Sequence, residues 1–286
     1  MKEGCAVKKP LTIARAFLFA CLIVIAFVFL VPFLWTVLTS LKLDKEIYSS
    51  RMIILPSRIT LTHYVRVLTQ MKEVINFFVN TVSITLWSVG GTMLLSAMMG
   101  YAFGKLTFFG KNVYLLFVMI ILTLPYAIYL IPIYIMENRL GLVNTHPGLI
   151  LPYIAINLPM SIFVMRGIFI NIPNEIAESG MIDGCNFYQI WSKIMLPLAR
   201  PGLAVVMIFT FINVWGEFMF ARTLSSSPAA QTLAVGITFL RDEASSWQYG
   251  TLCSVITLSL IPLLAVFLSM QKYFIEKGLM EGALKG

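Results

Sequence analysis

Four polar side chains interrupt otherwise apolar segments of this sequence. Asn80, Asn157, Asn213 and Glu217 carry amide and carboxylate groups, which form hydrogen bonds but make no catalytic set among themselves. Asn213 and Glu217 are four residues apart, so they would share one face of a helix. Two interpretations remain open: the groups hydrogen-bond neighbouring helices to each other, or they form the polar lining of a substrate path.

Residues for metal or nucleophilic chemistry are sparse. The chain has two histidines, His63 and His146, and four widely separated cysteines. This pattern indicates neither a disulfide framework nor a zinc site. No G-x-x-x-x-G-K-[ST] phosphate loop occurs, so the chain is not expected to hydrolyse ATP itself. We therefore expect no catalytic residue, no metal site and no cofactor bound by this chain.

A second polar set lies in the segment 171–200. Pro173 suits the first turn of a helix, and Glu175 and Glu178 would lie near its positive N-terminal end. Gly184, after an aspartate, breaks that helix, and Asn186 can cap a second one. The second helix would carry one apolar face, made by Phe187, Ile190, Trp191, Ile194 and Met195. Such an amphipathic helix-turn-helix is either an interfacial element or a docking site.

The composition identifies the solvent of this chain. Apolar residues make up 59% of its 286 residues and charged residues 12%, and the mean hydropathy is +0.87. Too few charges are present to cover a water-facing surface. The net charge of +8 comes from Lys and Arg that flank long uncharged runs. We expect an all-α integral membrane protein in a lipid bilayer, and we exclude a soluble enzyme, a disordered regulator and a nucleic-acid binder.

The gaps between charged residues predict six transmembrane helices, because about 20 apolar residues cross a bilayer. The fourth gap becomes apolar near Pro147, and the fifth is interrupted only by Glu217. The six runs are 16–41, 74–104, 112–136, 140–165, 201–221 and 244–271.

Six spans place both termini on one side. The Lys and Arg distribution favours a cytoplasmic N-terminus, although the basic loop 42–72 opposes this orientation. The expected organisation is a cytoplasmic segment 1–15, a six-helix transmembrane domain 16–271 that contains the loop 171–200 between helices 4 and 5, and a cytoplasmic tail 272–286.

The spacing within 171–200 resembles the EAA loop of ABC importer permeases, E-A-A-x3-G-x9-I-x-L-P. Here it reads Glu178-Ser179-Gly180, three residues, Gly184, nine residues, and Ile194-x-Leu196-Pro197, so Ser and Gly replace the two alanines. The resemblance implies a set of residues that couple the chain to an ATPase: Glu175, Glu178, Ser179, Gly180, Asp183, Gly184, Ile194, Leu196 and Pro197.

Other segments resemble the MalG-like permeases of carbohydrate importers, in order along most of the chain. Trp215-Gly216-Glu217-Phe218 resembles that family's W-N-E-F, with Gly in place of Asn. The stretch 140–145 and the tail from Gln271 to Gly286 match as well. The resemblance implies a non-catalytic, multi-pass subunit of a bacterial-type plasma (inner) membrane transporter. Its implied partners are a second homologous permease subunit, two ATP-binding cassette subunits that use ATP-Mg, an extracytoplasmic sugar-binding protein and the carbohydrate substrate.

The resemblance also implies roles for single residues. The helix of Glu178 would dock in a groove of the ATPase, Gly184 would permit the sharp turn, and Pro197 would fix the angle into the fifth span. The loop 223–248, with Arg241, Asp242 and Glu243, would contact the binding protein, and the segment 282–286 would reach the ATPases.

Two alternatives remain open. An ion-coupled secondary transporter would need carboxylates near the middle of the membrane, and only Glu217 comes close to that position. The same ABC role with glycerol 3-phosphate or another polyol derivative is the second. No Arg or Lys cluster interrupts the apolar runs to hold a phosphate, which favours a neutral sugar.

Overall fold

The computed structural model describes the backbone of residues 13–240 and 248–283, and the side chains of residues 17–240 and 248–271. Every regular element in these ranges is helical. The α-helices, in chain order, are α1 (Ile13–Ser40), α2 (Asp44–Ile47), α3 (Thr62–Gln70), α4 (Lys72–Lys105), α5 (Lys111–Thr123), α6 (Leu130–Leu140), α7 (Pro147–Ile170), α8 (Asn174–Ile182), α9 (Phe187–Gln189), α10 (Leu196–Leu198), α11 (Arg200–Trp215), α12 (Met219–Leu224), α13 (Leu233–Gly236) and α14 (Tyr249–Ala283). Turns of 3₁₀-helix cover Tyr126–Tyr129 and Ile237–Phe239, and a π-helical turn covers Ile190–Met195.

Four helices in the described ranges are long and apolar enough to cross a membrane, and they belong to α1, α4, α7 and α14. Two bent pairs are further candidates. Lys111–Thr123 with Tyr126–Leu140 bends by 100°, and Phe187–Leu198 with Arg200–Trp215 bends by 74°. The predicted all-helical membrane architecture is thus confirmed, with four to six candidate spans.

The third predicted span is not one straight helix. A single helix over 112–136 is wrong, because α5 ends at Thr123 and a 3₁₀ turn begins at Tyr126. Pro125 causes the break. It has no N–H to donate, and its ring forces Leu124 into an extended conformation with ψ at 132°.

The chain divides into two compact units, of which the first comprises the described residues up to 70 and residues 248–258. Its basic loop folds back on the end of α1. The buried Lys42 amine donates to the carbonyl oxygen of Ile53 at 2.6 Å and lies 4.6 Å from the centre of the Trp35 ring. His63 Nε2 lies 2.9 Å from the Lys42 carbonyl oxygen. These contacts fix the loop locally.

The second unit comprises the described residues from 71 to 240 and 259 to 283, and its core lies among α4, α7 and α11. Two glycines let α4 and α7 approach closely. A Cβ added to Gly100 would lie 2.5 Å from Met165 Cβ, and one added to Gly104 would lie 2.9 Å from Phe169 Cβ. The Gly100-x-x-x-Gly104 stretch is therefore a helix-packing surface.

Candidate functional site

A polar pocket of about 630 Å³ lies beside α7 and the end of α11. Three of the four polar residues singled out in the sequence line it, namely Asn157, Asn213 and Glu217. Two tyrosines, Tyr126 and Tyr153, complete its polar wall. Apolar side chains form the rest of the lining: Ile156, Ile212, Phe218, Met219 and Phe220.

The two asparagines form a connected pair across two helices. Asn213 Nδ2 of α11 donates to Asn157 Oδ1 of α7 at 2.9 Å, and Asn157 Nδ2 donates to the Tyr153 carbonyl oxygen at 2.8 Å. Asn213 is exposed, so its amide oxygen and one N–H face the pocket. This arrangement joins both interpretations made from the sequence, since one group links the helices while the other stays open to a ligand.

Glu217 occupies a break in the backbone and not a helix face. The predicted helix over 201–221 is too long, because α11 ends at Trp215 and α12 begins at Met219. The Glu217 carboxylate caps α12 by accepting hydrogen bonds from the backbone N–H groups of Phe220 and Ala221, both at 2.9 Å. A helix started in this way satisfies its unpaired N–H groups without a Ser or Asp cap.

The same carboxylate accepts two phenolic hydroxyl groups. Tyr153 of α7 donates to Oε2 at 2.7 Å, and Tyr126 donates to Oε1 at 3.2 Å. Glu217 therefore joins α7, the α11–α12 break and the 3₁₀ turn after Pro125. Neither tyrosine was identified from the sequence. Each follows or precedes a proline closely, but only the long-range pairing with Glu217 distinguishes them from the chain's other tyrosines.

Asn80 lies apart from this pocket. It is in the third turn of α4 and is 8% exposed, and its Nδ2 donates to the carbonyl oxygens of Ala229 and Gln231 at 3.1 and 3.0 Å. Its Oδ1 lies 3.0 Å from His146 Nε2. Asn80 therefore holds the 228–231 loop against α4, and its place among path-lining residues gains nothing from the structure.

The second candidate region is the arm, defined as residues 174–198, between α7 and α11. Pro173 precedes its first helix, α8, which ends at Ile182. Gly184 then takes φ of +80°, a left-handed conformation that glycine adopts without strain. Asn186 begins the second half, and its side chain accepts the N–H of Gln189 at 3.0 Å. The helix, the break and the cap expected from the sequence are all present.

Gly180 makes the two halves of the arm fit together. It is buried, and a Cβ added there would lie 2.6 Å from Ile194 Cδ1 on the π-helical turn. Ser179 turns its hydroxyl back to the Glu175 carbonyl oxygen at 2.8 Å. Ile194 and Leu196 pack against the buried cluster of Met165, Phe169 and Met195, and Pro197 lies in the first turn of α10.

The outer surface of the arm is both acidic and apolar. Glu175, Glu178 and Asp183 are exposed, and no ion pair among the described residues involves them. Ile182 is 86% exposed and Tyr188 is 74% exposed. A surface with free carboxylates and large apolar side chains fits a protein partner with a basic, grooved face.

The remaining predicted site residues are accounted for briefly. Arg241–Glu243 and the segment 284–286 lie outside the described residues. Within the described part of the chain, no group of three His, Cys, Asp or Glu residues is arranged to hold a metal ion.

The helical membrane fold, the polar pocket and the exposed arm together describe a membrane transport subunit. Residues 92–277 match the family described as "Binding-protein-dependent transport system inner membrane component", and the chain belongs to this family.

Two relatives align over nearly their whole length. The "Arabinooligosaccharides transport system permease protein AraQ" of Halalkalibacterium halodurans is 33% identical over 92% of this chain and 93% of the relative. The "Trehalose/maltose transport system permease protein MalG" of Thermococcus litoralis is 31% identical over 92% of this chain and 94% of the relative.

A similar fold occurs in the crystal structure of a bacterial ABC transporter involved in the import of the acidic polysaccharide alginate. The TM-score is 0.81 and the identity 23%, over 96% of this chain and 100% of that chain.

Proposed function

We propose that this chain is a permease subunit of an ATP-driven, binding-protein-dependent carbohydrate importer and forms half of its translocation pathway. The family supplies inner-membrane components of binding-protein-dependent systems, and both relatives described above are permease proteins of sugar transport systems. The observation that carries the proposal is the arm, because its exposed carboxylates and apolar side chains form a docking surface next to a polar pocket.

The proposed topology has six spans, with each bent pair counted as one. The arm, the N-terminal segment 1–15 and the tail 272–286 are on the cytoplasmic side of a bacterial plasma membrane. Lys105, Lys111 and Arg200 support this orientation, since they lie at the ends of α4, α5 and α11 near the arm. The acidic arm would then face the ATP-hydrolysing subunits.

The arm is proposed to act as a lever. The ATP-binding cassette subunits close on ATP-Mg, and α8, seated in a groove of one of them, moves with it. Glu178 pairs with a basic side chain there, and Gly184 places its turn against the partner, since nothing in this chain lies within 4 Å of its missing Cβ. A second homologous permease completes the pathway, and the subunits rock between two packed states. ATP hydrolysis itself belongs to the partner subunits.

The proposed ligand contacts are those of the polar pocket. Asn157, Asn213 and the tyrosine hydroxyl groups suit the hydroxyl groups of a sugar, and aromatic rings suit its apolar faces. No Lys or Arg lines the described pocket, so a neutral carbohydrate fits it better than glycerol 3-phosphate or another anionic polyol derivative.

An ion-coupled secondary transporter is the competing function, and Glu217 is the residue that it requires. The four hydrogen bonds to the Glu217 carboxylate oppose this role. A coupling carboxylate must release and bind its ion in each cycle, whereas this one holds three elements together.

The first test is purification of the tagged chain from its native membranes in mild detergent, with its partners identified by mass spectrometry. The expected result is one further permease and two ATP-binding cassette subunits for each chain. A chain that purifies alone and still transports would contradict the proposal and favour the secondary transporter.

A variant of the arm sharpens this test. Gly184→Asp should insert into the membrane normally but lose the ATPase subunits and uptake, since it places a charged side chain at the docking turn. Glu175→Gln, an exposed change elsewhere on α8, is the matched control. Normal uptake by Gly184→Asp would remove the docking assignment.

A further inference from the structure

Lys105 joins the end of α4 to the start of the arm. Its Nζ donates to the Ile172 carbonyl oxygen and, at 2.6 Å, to Asn174 Oδ1. These two acceptors lie on either side of Pro173, where the chain passes from α7 into α8. Hydrogen bonds from an ammonium group are about twice as strong as neutral ones. Two acceptors, one on each side of the turn, also fix the direction of the lysine side chain.

One turn earlier, Tyr101 of α4 contacts both ends of the same region. Its ring centre lies 5.4 Å from that of Phe169, in the last turn of α7, and 5.9 Å from that of Phe187, the first residue of α9. The last turn of α4 thus touches the start of α8 through Lys105 and the start of α9 through Tyr101. The apolar contact can slide, whereas the charged hydrogen bonds define one position.

The other part of α4 reaches the polar pocket. Ile84 of α4 is 1% exposed and belongs to the same buried cluster as Tyr153 and Val214. Tyr153 in turn donates to Glu217. A 34-residue helix is a stiff element about 50 Å long. A displacement of its last turn therefore reaches the groups that pack around the pocket.

We infer that Lys105 is a positioning residue that makes the arm and α4 move as one body, so that movement of the arm reaches the pocket through α4. The inference rests on the proposed function, because the ATPase subunits supply the movement of the arm. The sequence alone shows Lys105 only as the charge that ends an apolar run.

The test uses the whole purified complex in nanodiscs. Spin labels on Ile182→Cys in the arm and Val79→Cys on α4 occupy two exposed positions, and their separation is measured without nucleotide and with ATP and vanadate. The variants are Lys105→Met, which keeps the length but removes the charge, and Lys105→Arg, which keeps charge and donors. Lys111→Met is the matched control, because Lys111 donates to the Leu106 carbonyl oxygen and not to the arm.

The expected result is one separation in both states for the unsubstituted chain, Lys105→Arg and Lys111→Met. In Lys105→Met the separation should shift or broaden only with ATP and vanadate, while ATP hydrolysis continues. Transport per ATP should fall about tenfold, the effect of losing one charged hydrogen bond.

Three results would overturn the inference. The first is an unchanged separation in Lys105→Met in both states. The second is a separation already altered without nucleotide, or a complex that fails to assemble, because the amine would then be needed only for folding. The third is an unsubstituted chain that never binds ATPase subunits, which would instead remove the proposed function on which the inference depends.

Discussion

At the scale of single residues, the carboxylate of Glu217 has the most connections in the pocket. Its Oε1 accepts from Tyr126 and the Phe220 N–H, and its Oε2 accepts from Tyr153 and the Ala221 N–H. Only an acceptor with two equivalent oxygens satisfies this set, since each oxygen faces one fixed backbone donor.

Glu217→Gln should therefore destabilise the protein. Whichever way the amide is oriented, its NH₂ group faces one backbone N–H, of Phe220 or Ala221, that cannot become an acceptor. The expected loss is about 1–3 kcal/mol in the free energy of unfolding. The measurement is the thermal unfolding midpoint of the solubilised complex.

Glu178→Gln is the control for this substitution, because Glu178 is an exposed glutamate in the arm. It should leave the midpoint unchanged. Equal midpoints for both variants would mean that the Glu217 hydrogen bonds add nothing to stability.

Residue types and spacing predicted part of this site. Asn157, Asn213 and Glu217 are polar residues in apolar runs, so their importance was visible in the sequence. Tyr126 and Tyr153 were missed because they meet Glu217 across 91 and 64 residues of chain. A pairing of that kind depends on how α7 and α11 pack, which no local pattern encodes. For the same reason the sequence grouped Asn80 with the pocket residues.

At the scale of elements, the arm depends on close contact between α8 and the π-helical turn. Gly180 permits this contact, because its missing Cβ leaves space for the end of the Ile194 side chain. A Cβ alone would meet only that flexible end, which can rotate away, and alanine also favours the helix by about 0.5–1 kcal/mol over glycine. A branched side chain has no such space.

Gly180→Val should thus separate the two halves of the arm and reduce binding of the ATPase subunits. Overpacking of this kind costs about 1–3 kcal/mol. The amount of ATPase subunit that co-purifies with the chain measures the effect, and Gly180→Ala should retain nearly all of it.

Adding Ile194→Ala to Gly180→Val supplies the missing space and should restore binding. If the double variant binds no better than Gly180→Val, crowding against Ile194 is not the reason for a glycine at this position.

The sequence predicted the elements of the arm better than those of the membrane. Asp183-Gly184 and Asn186 act on their own neighbours, so the end of α8 and the start of α9 follow from local chemistry. The ends of α5 and α11 do not. Pro125 predicts a kink, but its 100° size depends on what α6 packs against, and α11 stops at Trp215 because the Glu217 side chain begins a new helix.

At the scale of the whole molecule, the six-span topology places residue 182 of the arm and the loop 42–72 on opposite sides of the membrane. Ile182 and Arg58 are both exposed, so each can carry a reporter with little effect on folding. The topology predicts opposite accessibility for the two positions.

This prediction is checked by labelling single cysteines in a variant whose four native cysteines are replaced by serine. A membrane-impermeant maleimide added to intact cells should label Arg58→Cys, and it should label Ile182→Cys only after the membrane is opened. Labelling of Ile182→Cys in intact cells would require the reverse orientation.

The π-helical turn at Ile190–Met195 has a consequence for the length of the chain. Each residue of an α-helix advances the rotation by about 100°. Deletion of one residue from this turn would rotate everything that follows, and Asn213 would leave the side of α11 that it shares with Asn157. A substitution here alters local packing, but a deletion changes the aim of the next helix. The number of residues between the arm and the pocket is therefore as much a part of the transport machinery as their identities.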